Sequence, residues 1–305
     1  MKSAGFLNLV CQTARHTLLM PIQLLHALDT RLSADLRGPE HLPPLIVLHG
    51  GPGLDHHEFA DYLDPLTDTV RLVLLDMRAQ GESDRNAPED SWTLPQMAAD
   101  VGAVARALGA VRYAVFGHSY GAFVALQQAI SEPGAAAASI VSCGVPSSRY
   151  LGDIPAKLER FEPLHLREQV RASWAGEANV TTEADFERLM VEQMPWHFAD
   201  PEDPRIPEYT RRSAGRYAPE VLRKFSANGY GGIEVEAQLG QVAAPMLVLA
   251  GRHDRTCPPE ASQATAAGVP GAQLHVFGDS GHMPFVEQPD EFLSVVRDFL
   301  QQALK

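Results

Sequence analysis

Ser119 stands between Gly117 and Gly121 in the run YAVFGHSYGAFVALQQA, residues 113–129. One apolar stretch ends at the first glycine, and a second begins at once with helical spacing. A serine on such a sharp strand-to-helix turn is lifted toward the carboxyl end of a sheet, where open α/β sheets bind ligands. The glycines let backbone and helix approach without a Cβ clash. The plain alternative is a serine that only caps a helix. A serine hydroxyl attacks poorly until a base removes its proton, and the base needs a carboxylate to orient it. Two later apolar runs end in suitable residues. MLVLAGRHD delivers Asp254, and LHVFGDSGHMPF delivers His282. Asp279 is an alternative acid, but it shares the loop of His282. Of the other histidines near these motifs, His118 is expected to point elsewhere on the turn. His253 adjoins Asp254, and His275 lies within a strand. Ser119, Asp254 and His282 together predict acyl transfer through an acyl-enzyme. Its oxyanion needs N–H donors. The backbone of Tyr120 is one, and Gly51 in the turn HGGPG is expected to be the other. That glycine-rich run could also be only a tight loop.

These residues need strands that end at one edge. PPLIVLHG (43–50), VRLVLLDMR (70–78), RYAVFGHS and AASIVSCGVP (137–146) are continuous apolar runs, as expected of strands covered on both faces. LPQMAADVGAVARALG (94–109) reads as a helix between two of them. TLLMPIQLL (17–25) and TRLSADLRG (30–38) read as a strand pair around a short turn. Alternation of buried strands and helices predicts an α/β fold with a mainly parallel sheet. Residues 147–235 carry helical segments and no buried strand. Strands return at 244–254 and 272–282, and a helix closes the chain. The expected division is an extension over 1–16, a core over 17–146 and 236–305, and a helical cap over 147–235.

A length of 305 residues allows one large core or two modest ones. The formal charge of −13 argues against nucleic acid and anionic membrane as partners. It suits a cationic substrate, or simply a solvated acidic surface. Cys11, Cys143 and Cys257 lie far apart, and an odd count argues against a disulfide framework. Reduced thiols in a cytoplasmic protein are the simplest account. The apolar N-terminal stretch is interrupted by Arg15 and His16 and reads as neither signal peptide nor membrane span. No metal-ligand spacing and no nucleotide-binding loop is present, so neither metal nor cofactor is expected.

The span from about residue 30 onward resembles the α/β-hydrolase superfamily. HGGPG, DMRAQGESD, GHSYG, GRHDRTCPPEA and SGHMPFVEQPDEF occur in that family's order. HGGPG together with GHSYG is most similar to the proline iminopeptidase branch, the prolyl aminopeptidases of peptidase family S33. The resemblance implies an α/β-hydrolase fold with a helical cap, a Ser119–Asp254–His282 triad, and an oxyanion hole at Gly51 and Tyr120. It also implies a structural role for DMRAQGESD, where Ala79 stands in place of the usual glycine. In that branch, cap glutamates read the free amine of a short peptide. The cap here offers Glu177, Asp185, Glu187, Glu192, Glu202 and Glu208, and Glu177 follows Trp174 in SWAGE. Each is also readable as a solvated helix face. Trp174, Trp196, Phe198 and Tyr230 could line a pocket for a proline ring or form the cap's own core. HGGPG also occurs in esterase-like relatives. Three readings therefore stand: an aminopeptidase for N-terminal proline or a small residue; a carboxylesterase, lactonase or carbon–carbon hydrolase on a small acyl compound; and a non-catalytic ligand receptor. Serine at the nucleophile position excludes the aspartate-dependent dehalogenases and epoxide hydrolases of the fold.

Overall fold

A computed structural model describes residues 22–305. Cys11 and the expected extension over 1–16 lie outside the described residues. The chain forms an eight-stranded sheet in the order β1-β2-β4-β3-β5-β6-β7-β8. The strands are β1 (Gln23–Ala27), β2 (Thr30–Arg37), β3 (Pro44–Leu48), β4 (Arg71–Leu75), β5 (Ala114–His118), β6 (Ala138–Ser142), β7 (Met246–Gly251) and β8 (Gln273–Phe277). β1 and β2 pair antiparallel, β2 joins β4 antiparallel, and every later pairing is parallel. The first hairpin pairs as expected, with β2 on the expected 30–38; β1 runs Gln23–Ala27, and residues 17–21 lie outside the described residues.

The apolar strands are continuous because both faces are covered. In β3, Ile46 and Leu48 pack into the layer of α1 (Leu94–Ala107) and α2 (Tyr120–Ser131). Leu45 and Val47 face the opposite layer, with Phe292, Val296 and Phe299 of α10 (Pro289–Ala303). β8 departs from the expected buried strand. It is the sheet edge, and Gln273 and Leu274 are exposed.

Five helices separate β6 from β7: α3 (Ile154–Leu158), α4 (Leu164–Gly176), α5 (Glu183–His197), α6 (Ile206–Arg212) and α7 (Pro219–Ser226). The two ends of this insertion meet where Ser147 bridges Glu234, and the Glu234 carboxylate accepts from Ser147 Oγ at 2.8 Å. Two short helices follow β7 and β8: α8 (Pro259–Gly268) and α9 (Pro284–Glu287). No helix among the described residues is long and apolar enough to cross a membrane.

Candidate active site

Ser119 follows β5 directly and precedes α2, with φ 53° and ψ −117°. Such a backbone costs a non-glycine residue about 1–3 kcal/mol and persists only where the surroundings impose it. They do so here by close approach. A Cβ on Gly117 would lie 2.1 Å from the Gly121 oxygen, and one on Gly121 would lie 2.3 Å from the Leu48 oxygen. The two glycines therefore let α2 pack against β3 while the serine side chain reaches the strand ends.

Asp254 and His282 arrive after β7 and β8 and are both buried. His282 Nδ1 lies 2.7 Å from Asp254 Oδ2. The other oxygen, Asp254 Oδ1, accepts the N–H groups of Thr256 and Cys257, each at 2.9 Å. The carboxylate is thus fixed from both sides. Asp279 is exposed, and its backbone N–H donates to Gln288 Oε1. The nitrogen His282 Nε2 has no protein partner among the described residues. His282 and Ser119 line the same pocket. Gly51 and Tyr120 line it too, and neither backbone N–H has an acceptor among the described residues.

The loop DMRAQGESD underlies this edge without entering the pocket. Arg78 is fully buried and donates to both oxygens of Asp100, at 2.9 and 2.7 Å. Gln80 Oε1 accepts the Gly53 N–H at 2.6 Å and so braces the HGGPG turn.

The helical insertion supplies the opposite wall. Of its six carboxylates singled out above, only Glu177 is buried. Gln193 Nε2 donates to Glu177 Oε1 at 2.8 Å, and the Tyr230 hydroxyl donates to the other oxygen. No basic side chain among the described residues pairs with it. Burial pushes the Glu177 carboxyl above the usual carboxylate range, against those two donors. Trp174 and Tyr230 also line the pocket. Trp196 and Phe198 do not: of the two readings open for them, pocket wall and cap core, Trp196 takes the second and Phe198 neither. Trp196 is fully buried among Ile154, Leu158, Phe161 and Val170, and its Nε1 donates to Thr256 Oγ1 at 2.9 Å. Phe198 packs into the layer beneath the sheet.

Four residues reach the site with no expectation attached to them. Gln193 and His197 lie in α5, and their place in the wall follows from how that helix docks. The His197 carbonyl accepts the His282 N–H at 2.6 Å. A Cβ on Gly281 would lie 2.6 Å from that same oxygen, so the glycine beside His282 admits the insertion. The Glu287 carboxylate joins the two units: it accepts from Ala199 N at 2.7 Å and from Gly281 N at 2.8 Å. Burial pushes Glu287 up to about 7 despite these donors. Glu58 lies in the 3₁₀ turn His56–Phe59 behind HGGPG and also lines the pocket.

Two groups bring three possible metal donors within 4.8 Å: His118–Cys143–His282 and Asp55–His56–His57. Both ring nitrogens of His118 already meet protein oxygens, and Asp55 already accepts from His57 N, His57 Nδ1 and Arg216 N. We assign no metal to either.

Strand ends that gather a serine turn, an acid–imidazole pair and a glycine-rich turn define a class, and sequence comparison agrees. The family profile described as alpha/beta hydrolase fold matches residues 43–289, and the chain belongs to that family of hydrolases. The chain is similar to the proline iminopeptidase of Heyndrickxia coagulans, with 26% identity over 84% of this chain and 90% of that one. A solved proline iminopeptidase from Mycobacterium smegmatis superposes with TM-score 0.73 and 26% identity, over 93% of this chain and 98% of that one. An esterase from Exiguobacterium antarcticum shares the fold, with TM-score 0.72 and 20% identity over 92% of this chain and all (100%) of that one.

Proposed function

We propose that this hydrolase is a serine aminopeptidase that releases an N-terminal proline or another small residue through an acyl-enzyme. One observation carries the choice of substrate: a buried carboxylate without a counter-cation among the described residues, Glu177, lies in the wall of the pocket that holds Ser119. A carboxylate so placed offers a charge-assisted contact to a protonated amine and rejects blocked N-termini. The similarity to proline iminopeptidases points the same way. Trp174 and Tyr230 supply apolar wall beside it.

In the proposed mechanism His282 Nε2 takes the Ser119 proton as the hydroxyl attacks the substrate carbonyl. Asp254 stays ionised and steadies the imidazolium. The N–H groups of Gly51 and Tyr120 hold the oxyanion. His282 returns the proton to the leaving amine, and water repeats the cycle on the acyl-enzyme. This reading places the substrate within the helical wall over residues 147–235, acting as a cap, and needs no metal.

A second reading rests on the donors around Glu177. If the carboxyl is held neutral by burial, it presents a hydrogen bond rather than a charge, and the pocket then suits a small uncharged acyl ester. Paired rates separate the two. The substrates are a prolyl arylamide with a free amine, its N-acetyl form and a short aryl ester, with Ser119→Ala as the blank. The aminopeptidase reading expects turnover of the free amide that acetylation abolishes. Ester turnover without amide cleavage overturns it in favour of the second. Ser119→Ala is expected to lose at least about 10⁴-fold in kcat, and a variant that kept a few per cent would remove the nucleophile assignment.

A further inference from the structure

A second acid–imidazole pair lies under the serine, and no step above uses it. His118 ends β5 and is fully buried. Its Nδ1 lies 2.9 Å from Glu58 Oε1, and its Nε2 lies 2.8 Å from the main-chain oxygen of His282. The second oxygen of Glu58 accepts the Gly50 N–H at 2.5 Å. A carboxylate and a peptide carbonyl both only accept. Against an ionised Glu58 a neutral imidazole, with one N–H, would leave one of these contacts as lone pair against lone pair. The imidazolium, with two N–H groups, satisfies both.

We propose that His118 is a standing imidazolium paired with ionised Glu58, and that the pair positions the catalytic histidine relative to the oxyanion turn. It links Gly50, next to the oxyanion donor Gly51, through Glu58 and His118 to the backbone of His282. The two ends of the link are the groups whose separation the reaction depends on: the base and the oxyanion donor. His118 and Glu58 are positioning residues, since they act through His282 and Gly50. The inference rests on the triad assignment and not on the choice of substrate.

The surroundings support the charge state. Burial disfavours a charged His118, but the Glu58 carboxylate, the His282 carbonyl and Asp254 outweigh it and hold its pKa above the ordinary imidazole value. Burial likewise disfavours an ionised Glu58, and His118, the Gly50 N–H and His49 outweigh it. The other titratable groups facing the pair are Cys143, His197 and Tyr209. Burial holds the Cys143 thiol and the Tyr209 hydroxyl protonated, and it holds His197 neutral. None of them competes for the His118 charge.

The test is nitrogen-15 histidine NMR on the whole protein at about pH 8.5, about two units above the ordinary imidazole value. The kinetic companion is the inactivation of Ser119 by a fluorophosphonate, which needs no knowledge of the substrate. Wild type is expected to keep one histidine with both ring nitrogens protonated. Glu58→Gln can preserve every contact with a neutral ring, and it is expected to convert that signal to a single-proton imidazole in a folded protein. His118→Leu is expected to lose the signal and to slow the inactivation step about 100-fold, with probe affinity within about twofold. A His118 that is neutral in wild type overturns the proposal. So does a folded His118→Leu protein that inactivates at the wild-type rate. Failure of wild type to react with the probe strikes the nucleophile assignment instead, and the NMR signal still decides the charge of His118.

Discussion

Among the described residues, two of the buried carboxylate–imidazole pairs lie about one ring apart, with the His118 and His282 ring centroids 4.9 Å from each other. Their chemistry is the same, and their second nitrogens differ. His282 gives Nδ1 to Asp254 and leaves Nε2 toward the pocket that Ser119 lines. His118 gives Nδ1 to Glu58 and closes Nε2 on a carbonyl. A base needs a free lone pair where the substrate arrives, so only the first pair is placed to move a proton. The second is closed at both ends and suits a fixed charge. What a buried histidine does is therefore set by what its outer nitrogen meets, more than by the acid behind it.

The sharpest way to break this contrast is to change each acid in turn. Asp254→Asn is expected to lower kcat about 10³–10⁴-fold while the protein stays folded, because the amide presents the wrong hydrogen-bond partner to His282 Nδ1. Asp279→Asn is expected to leave kcat within about twofold, since an exposed side chain of that loop orients nothing. Steady-state kinetics on the two variants decide the matter. An Asp254→Asn protein with near-wild-type kcat would remove Asp254 from the triad and dissolve the comparison.

The contrast also marks what a sequence carries. Ser119, Asp254 and His282 were legible because each follows an apolar run, and the carboxyl ends of parallel strands converge whatever the loops do. Gly51 and Tyr120 were legible for the same reason. The pairing of Glu58 with His118 was not. It spans sixty positions and depends on the tilt of a short turn behind HGGPG. His118 points away from the pocket, as expected, and toward a carboxylate that no pattern announces. In the helical insertion the signal weakens further. Glu177 stands out among the six cap carboxylates only by its place after Trp174 in SWAGE, and it is the folding of the insertion that buries it. Trp174 and Trp196 carry the same chemistry in sequence. Helix packing sends one to the pocket and the other to the interior.

A second comparison lies within the insertion wall. Glu177 has its pKa raised by burial, so it takes up a proton at higher pH than a surface carboxylate does. If the neutral form binds an amine poorly, KM for free-amine substrates should climb as pH falls toward the acid range. An N-blocked ester should show no such limb. Glu177→Gln should raise KM for the amine substrate about 10- to 100-fold, the loss of one hydrogen bond to a charged group, and should flatten the limb. An unchanged KM in that variant would leave Glu177 as a buried structural acid and favour the ester reading. The same shift has a stability sign. A carboxyl whose folded pKa is raised contributes stability fully below its unfolded value and loses it as pH rises through the folded one. Glu177→Gln should therefore gain stability relative to wild type as pH rises through that window, read by urea denaturation at several pH values.

The smallest expected effects come from the two tryptophans, and they separate wall from interior. Trp174 touches the pocket, so Trp174→Phe should move KM about two- to fivefold, the scale of a small change in apolar contact, with little change in unfolding free energy. Trp196 is fully enclosed and donates to Thr256 Oγ1. Trp196→Phe removes that hydrogen bond and leaves a space beside Phe161, Val170 and Trp174. It should cost about 1–3 kcal/mol of stability, visible as a lower denaturation midpoint. Its KM should stay near wild type unless the loss propagates through Thr256, whose backbone N–H holds Asp254. A Trp196→Phe protein of normal stability but altered kcat would mean that this side chain reports to the triad through Thr256. The interior of the insertion would then be part of the catalytic support and not merely the wall's own core.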